Sequence, residues 1–271
     1  MAYTGPAMTG RYLDLLAEIH RRARPRTYLE IGMRTGDSLA LAAPETIIVG
    51  IDPCATVRSR INADARLFFE TSDDFFADHD VRAVLDGNPI DLAFIDGMHL
   101  FEFALRDFRN VEAAATPESV ILIHDCLPTS AAMATRERGT AMWTGDTWKL
   151  VCILREFRPD LDVRTVAVKG SGLGIVRNLD PANRVLHDRY DEAVDRFMAM
   201  PFDHIEGHEA ERLNVIPNDP AVIAELVPPW PALPGRTAQP KRYPISSKIV
   251  SYNVGRIARG ALRRVKGAAH A

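Results

Sequence analysis

The segment TYLEIGMRTGD, residues 27–37, determines the fold class that the sequence predicts. Residues 28–31 are apolar apart from one acid, which indicates a short buried strand. Glycines bound the turn from Gly32 to Gly36, and Asp37 can begin a helix. A strand, a tight turn and a helix in this order form the first part of a parallel β-α-β unit.

The same alternation continues along the chain. Further apolar strands are predicted at 46–52, at the start of 65–78 (with Ser72 or Asp73 capping a helix), at 90–97 and at 119–125. Predicted helices lie at 9–23, 99–115, 147–157 and 183–199, and two strands at 162–168 and 173–178 form a hairpin. Nearly continuous apolar strands separated by helices predict an α/β, doubly wound, mostly parallel Rossmann-like sheet with a C-terminal β-hairpin.

Charge and composition favour a cytoplasmic protein that does not bind nucleic acid. The 271 residues carry a net charge of −3, which does not favour nucleic acid as a partner. The three cysteines form no CxxC pair, and no leader or membrane-spanning run is evident, so a cytoplasmic protein is expected. We predict a main domain over 1–180 with its N-terminal helix within 1–24. A helical appendage at 181–216, a Pro-rich linker or arm at 217–244 and a basic amphipathic helix at 245–271 should follow.

The glycine turn disfavours a dinucleotide cofactor such as NAD or FAD. Its spacing is Gly-x-x-x-Gly, whereas a dinucleotide fingerprint requires G-x-G-x-x-G. Arg34 occupies the second glycine position, and Asp37 would repel a pyrophosphate at the helix start. We therefore expect a nucleoside ligand without a pyrophosphate, with Asp52 bridging the ribose hydroxyls at the end of the second strand. The alternative is a plain β-α-β turn with no ligand.

Several motifs together resemble one enzyme family. They are EIGMRTG at 30–36, GIDP at 50–53, FIDGMH at 94–99, VILIHD at 120–125 and the segment from GDTWK to GLGIV at 145–176. Their order resembles class I S-adenosylmethionine (SAM)-dependent methyltransferases, in the small-molecule O-methyltransferase branch that includes the macrolide-sugar (macrocin-type) enzymes. The resemblance covers roughly residues 25–180.

The resemblance implies a seven-stranded sheet whose final strand is antiparallel, and a SAM site in the loops. It places Glu30 and Gly32 at the methionine part of SAM, with Gly36 in the same loop, and Asp52 at the ribose. Ser72 and Asp73 would flank the adenine, and Asp96 completes this predicted set. SAM is a sulfonium cation, so an acidic loop suits it.

The run FIDGMH also contains the predicted catalytic residues. Asp96 and His99 follow the fourth strand, and Asp125 follows the fifth, so all three should lie at the same sheet edge. His99 could accept a proton near neutral pH, or it could be a helix-capping or solvent-facing histidine. Asp107 is expected to be an exposed helix acid or a salt-bridge partner.

The family resemblance adds a metal to this edge. It assigns Asp96 and Asp125 as ligands of Mg²⁺ or Mn²⁺ and His99 as the base. His124 stands where those relatives commonly carry an acid, so the sequence leaves two alternatives: a metal plus a base, or a base alone. His124 is a candidate third ligand.

The predicted function is methyl transfer from SAM to a hydroxyl of a sugar or sugar-containing small molecule. The alternative is a non-catalytic SAM-fold scaffold associated with polysaccharide or glycolipid assembly. Residues 241–271 contain eight Lys or Arg and no acid. The basic helix could dock on the domain or a second copy of the chain, or could contact an anionic membrane surface at the inner face of the membrane.

Overall fold

An eight-stranded mixed sheet organises residues 3–231, the part of the chain that the computed structural model describes. The strands are β1 (Thr27–Ile31), β2 (Ile47–Ile51), β3 (Asp64–Phe68), β4 (Leu92–Ile95), β5 (Val120–His124), β6 (Asp162–Val166), β7 (Leu173–Arg177) and β8 (Val215–Ile216). Their order is β3-β2-β1-β4-β5-β7-β6-β8. The first five strands pair in parallel, and β7 runs antiparallel to both β5 and β6. The predicted fold class and hairpin are confirmed, and β8 adds an eighth strand beside β6.

Helices cover both faces of this sheet. They are α1 (Tyr12–Ala23), α2 (Ser72–Asp78), α3 (Val81–Val84), α4 (Phe101–Ala113), α5 (Trp148–Phe157), α6 (Val185–Asp188), α7 (Tyr190–Met198), α8 (Glu209–Arg212) and α9 (Pro220–Leu226). One core contains buried residues of α4 and α5, and the other contains those of α1 and α9. Every residue of β1, β2 and β4 is buried, as expected of strands covered on both sides.

Three local predictions were wrong. Only a 3₁₀ turn at Leu39–Leu41 follows the glycine loop, because Pro44 and the start of β2 leave no room for an α-helix. The helix predicted at 183–199 is divided into α6 and α7. Thr71 caps α2 in place of Ser72 or Asp73, since its side chain accepts the amide of Asp74.

Residues 217–231 are folded onto the main domain. Within the range predicted as a Pro-rich linker, α9 packs beside α1, and the Trp230 amide donates to the carbonyl of Ala23 at 2.9 Å. Residues 217–231 thus lie against the domain and include a helix. Residues 232–244 and the predicted basic helix at 245–271 lie outside the described residues. Within residues 3–231, every helix is too short or too polar to cross a membrane.

Candidate active site

The carboxyl ends of β4 and β5 bring together two aspartates and two histidines. Ile95 pairs with Ile123 across the parallel ladder, so the residues that follow both strands meet at one edge. His124 Nδ1 lies 3.1 Å from Asp96 Oδ1 and 3.4 Å from Asp125 Oδ1. His99 Nε2 lies 3.3 Å from Asp96 Oδ1, and its Nδ1 lies 2.7 Å from Asp125 Oδ2. We call these four residues the edge cluster.

Charge neutralisation stabilises the edge cluster. Burial alone would lower the pKa of His99, but the carboxylates of Asp125 and Asp96 raise it to about 10. For His124, burial is likewise outweighed by Asp96 and Asp125, and its pKa also rises to about 10. Burial would raise the pKa of both aspartates, yet the two imidazoles hold both below the usual range. Two carboxylates and two imidazolium rings therefore form a neutral group at pH 7.

The backbone of the edge cluster is strained. His99 has φ +57° and Asp125 has φ +58°, a left-handed conformation that residues with a Cβ adopt at a cost. Such conformations concentrate at functional sites, where the surrounding structure enforces them. His99 Nδ1 and Asp125 Oδ2 are buried and close together, yet neither makes an aligned hydrogen bond. The pair is therefore an ion pair with unused hydrogen-bonding capacity.

The same edge offers a donor set for a divalent cation. Asp96, His124 and Asp125 each present one ligand atom, and these atoms lie within 4.8 Å of one another. Two carboxylate oxygens and the His124 imidazole nitrogen, once that nitrogen has released its proton, suit a hard or borderline cation such as Mg²⁺ or Mn²⁺. Asp125 Oδ2, which makes no aligned hydrogen bond, fits the same role, so the residues present are compatible with the predicted metal.

The glycine loop packs directly against this edge. Gly32 has φ +93°, and a Cβ at that position would lie 2.0 Å from the carbonyl oxygen of Asp96. Only glycine permits this approach. Asp52 accepts the backbone amide of Arg34 at 2.8 Å and that of Cys54 at 2.7 Å. Its carboxylate is thereby fixed beside the loop, at the end of β2. Gly36 also has a positive φ, of +81°.

Glu30 lies beneath the loop and is only 1% exposed. The Tyr28 hydroxyl donates to its carboxylate at 2.8 Å, and the Ser38 hydroxyl donates at 2.5 Å. Burial raises the pKa of Glu30 to about 8, against the opposing effect of these hydrogen bonds. The side chain is consequently a buried part of the loop's support, and its predicted contact with SAM stays a prediction.

The residues predicted to flank the adenine have partners of their own. Asp73 forms a two-point ion pair with Arg106 of α4, at 2.9 and 2.7 Å. Ser72 hydrogen-bonds Asp107, which is 3% exposed and has its pKa raised by burial to about 7. The expectation of an exposed Asp107 was wrong, because this face of α4 packs towards α2 and the turn at Gly97.

Two aromatic rings flank the edge cluster. Tyr12, at the start of α1, lies 4.1 Å from the His124 ring between centroids. Trp143 stacks on His99, with centroids 5.1 Å apart and an interplanar angle of 11°. The sequence analysis assigns no functional role to Tyr12. The apolar spacing of α1 gives no signal that its first residue reaches a strand end.

Residues 29–126 match the family model described as Methyltransferase domain. This segment runs from β1 to just beyond β5, little more than a third of the chain, and contains the glycine loop and the edge cluster. The match confirms, for this segment, the predicted resemblance to a methyltransferase domain. The macrolide-sugar branch stays a prediction.

Solved structures show more distant similarity. The O-methyltransferase TomG from Streptomyces achromogenes, solved with SAM, is 17% identical, with a TM-score of 0.46, over 62% of this chain and 80% of that one. Cofactor-bound Rv0187 from MTB is 20% identical, with a TM-score of 0.47, over 62% and 78%. An O-methyltransferase from Bacillus cereus, solved with SAH, is 16% identical, with a TM-score of 0.40, over 61% and 78%. The search of curated proteins gives no significant match.

Proposed function

We propose that this chain is a SAM-dependent O-methyltransferase that methylates a hydroxyl of a sugar or sugar-containing small molecule. One observation carries the proposal: His99 lies between two carboxylates at the sheet edge against which the glycine loop packs. Ligands of open α/β sheets bind at this edge. The match of residues 29–126 to a methyltransferase domain supports the same class of reaction.

SAM would lie across the loop between β1 and the 3₁₀ turn. The chain around that position is acidic, which suits a sulfonium and does not suit a pyrophosphate. Asp52 is held by two backbone amides and would accept the ribose hydroxyls. Gly32 and Gly36 keep the loop backbone free of side chains where the methionine part would approach.

In the proposed transfer, the acceptor hydroxyl oxygen attacks the methyl carbon and the carbon–sulfur bond breaks. The bonding electron pair stays on sulfur, which leaves as a neutral thioether, and the hydroxyl proton moves to His99. His99 must be neutral to accept it, whereas the carboxylates of Asp125 and Asp96 raise its pKa to about 10. Another group must therefore neutralise the negative charge of the two carboxylates before His99 can act as a base.

Asp96, Asp125 and His124 would hold a divalent cation at this point. Such a cation supplies charge neutralisation and lowers the pKa of a bound hydroxyl. The chain's own contribution is to fix the three donors on two adjacent strand ends and to keep the His99 ring beside them. The metal-plus-base alternative of the sequence is thus the one that we propose.

The acceptor would bind on the outer side of the edge cluster. The loop after β5 carries Trp143, which stacks on His99, and an aromatic face suits the apolar face of a sugar ring. A cytoplasmic location, and contact of residues 245–271 with a membrane surface or a second copy, stay predictions. The scaffold alternative was based on that basic tail, which the described residues do not include.

Titration calorimetry with S-adenosylhomocysteine tests the cofactor. We expect binding in the micromolar range, or about −8 kcal/mol, and no detectable heat would contradict the proposal. Transfer of labelled methyl from SAM to a panel of glycosides then tests the reaction. EDTA should abolish transfer, and Mg²⁺ or Mn²⁺ should restore it. Activity that persists in EDTA would leave His99 as a base without a metal.

A further inference from the structure

Residues 143–146 hold His99 from two sides, and we call them the clasp. They lie in the loop that follows β5, just before the start of α5. Trp143 stacks on the imidazole ring, and the Asp146 amide donates to the His99 carbonyl at 3.1 Å. One short segment therefore contacts both the ring and the backbone of the same residue.

Gly145 lies directly against the backbone carbonyl of His99. Its φ is +58°, and a Cβ there would lie 1.7 Å from the His99 carbonyl oxygen. That distance is far shorter than any non-bonded contact, so a side chain at this position must displace the clasp or His99. The requirement for glycine therefore comes from the His99 backbone as well as from the turn.

The Asp146 carboxylate fixes the clasp to α4. Its Oδ1 accepts the amide of Phe101 at 3.1 Å, an amide at the first turn of α4 that has no partner within the helix. The N-cap residue Leu100 cannot serve as a side-chain cap, so Asp146 supplies that bond from outside the helix. The other oxygen contacts Arg136 at 2.7 Å and Lys149 at 3.2 Å. Asp146 itself is 1% exposed.

We propose that the clasp sets the position of the His99 ring between Asp96 and Asp125, with Gly145 and Asp146 as positioning residues. His99 has a strained left-handed backbone, and the clasp supplies the contacts that hold it there. The inference rests on the proposed function for its catalytic meaning, since a displaced ring would no longer meet the acceptor hydroxyl. Its structural content does not depend on that function.

A pair of glycine variants tests the proposal. Gly145→Ala adds a Cβ against the His99 carbonyl, whereas Gly87→Ala adds one at φ +83° with no atom within 4 Å. Both variants carry the backbone cost of a left-handed alanine, so their difference reports the contact with His99. We expect Gly145→Ala to shift the ¹⁵N imidazole resonances of His99. These resonances are assigned as the ones that are absent from the spectrum of His99→Ala. Gly87→Ala should leave them in place.

Kinetics provide the second readout. A displacement of about 1 Å can cost about 100-fold in rate, so kcat should fall by that order in Gly145→Ala while the KM for SAM is unchanged. Gly87→Ala should keep the wild-type kcat. Unchanged His99 resonances and kcat in a folded Gly145→Ala protein would overturn the proposal.

Asp146→Asn provides a second test if Gly145→Ala does not fold. Asp91→Asn is its matched control, because Asp91 is also buried, ion-paired with Arg26 and bonded to a backbone amide, but lies at the opposite end of β4. Only Asp146→Asn should move the His99 resonances, and equal effects in both variants would contradict the clasp. If the wild-type protein binds no S-adenosylhomocysteine, the proposed function fails, while the resonance comparison still decides whether the clasp exists.

Discussion

Asp91 and Asp96 border the two ends of β4 and have opposite surroundings. Asp91 accepts three hydrogen bonds from Arg26, at 2.8, 2.8 and 2.6 Å, and residues 88–95 have no left-handed backbone. Asp96 faces two histidines, beside the strained residues His99 and Asp125. The Asp91 carboxylate at the amino end of the strand thus has its hydrogen bonds made, while the edge cluster at the carboxyl end keeps unused hydrogen-bonding capacity at His99 Nδ1 and Asp125 Oδ2. That difference separates a structural carboxylate from one available for chemistry.

His99→Ala should give the largest effect and the sharpest test of this contrast. Loss of a general base typically costs 10²–10⁴, so we expect kcat to fall by about 1,000-fold with SAH binding intact. His208→Ala removes an exposed histidine and is the control. Normal methylation by a His99→Ala protein that binds SAM would remove the base assignment.

The two ends of the sheet can be compared directly with Asp125→Asn and Asp91→Asn. Asp125→Asn should weaken activation by Mg²⁺ or Mn²⁺ by at least about tenfold. Asp91→Asn breaks a buried ion pair and should lower the free energy of unfolding by about 3 kcal/mol with kcat unchanged. Metal titrations of activity and urea unfolding measure the two effects. If both variants lose stability and keep their metal response, the contrast between the ends is wrong.

Glu30 is buried in β1, next to β4, and should make the free energy of unfolding depend on pH. Its pKa is about 8 in the folded protein and 4.5 as an ordinary glutamate, so the folded state holds a proton that the unfolded state releases between those values. The free energy of unfolding should therefore fall as pH rises from about 5 to 8, by up to about 1.4 kcal/mol per pH unit from this group.

Glu30→Gln removes that dependence, so its melting temperature relative to wild type should rise with pH across this range. Glu18→Gln alters an exposed acid paired with Arg21 and is the control. A constant difference between Glu30→Gln and wild type from pH 5 to 8 would show that Glu30 is ionised in the folded protein.

Trp143→Leu should give the smallest effect. An aromatic contact contributes about 1 kcal/mol beyond its area, so the KM for the acceptor should rise about fivefold with little change for SAM. Loss of the stack on His99 should lower kcat less than Gly145→Ala does, because Gly145 and Asp146 still hold the His99 backbone. Trp230→Leu, between α1 and α9, is the control, because it should lower thermal stability without changing this KM. An unchanged KM for the acceptor in Trp143→Leu would place the acceptor elsewhere.

The parallel sheet was predictable from the sequence because buried strands have nearly continuous apolar runs. Parallel pairing then places Asp96 and Asp125 at the same edge of the sheet. The surroundings of α4 were not predictable in the same way. An acid on an amphipathic surface helix is expected to be exposed, yet Asp107 is buried where α4 packs against α2.

The clasp is a second kind of feature that the sequence does not predict. Gly145 and Asp146 act on His99 across more than forty residues of chain, through a loop with no periodicity. Nothing in their local sequence specifies a backbone carbonyl as the partner. Asp73 is similar, since its ion pair with Arg106 depends on how α2 packs against α4. Contacts that depend on loop placement require tertiary structure.

The pairing of α1 with α9 has a consequence for the order in which the chain can fold. The Trp230 amide bonds the carbonyl of Ala23, and both helices share one apolar core. At about 5–20 residues per second, a ribosome needs roughly 10–40 s to make the intervening chain. During that time the outer apolar face of α1 has no cover. The helix that presents Tyr12 to His124 is therefore among the first elements to be synthesised and among the last to complete its packing.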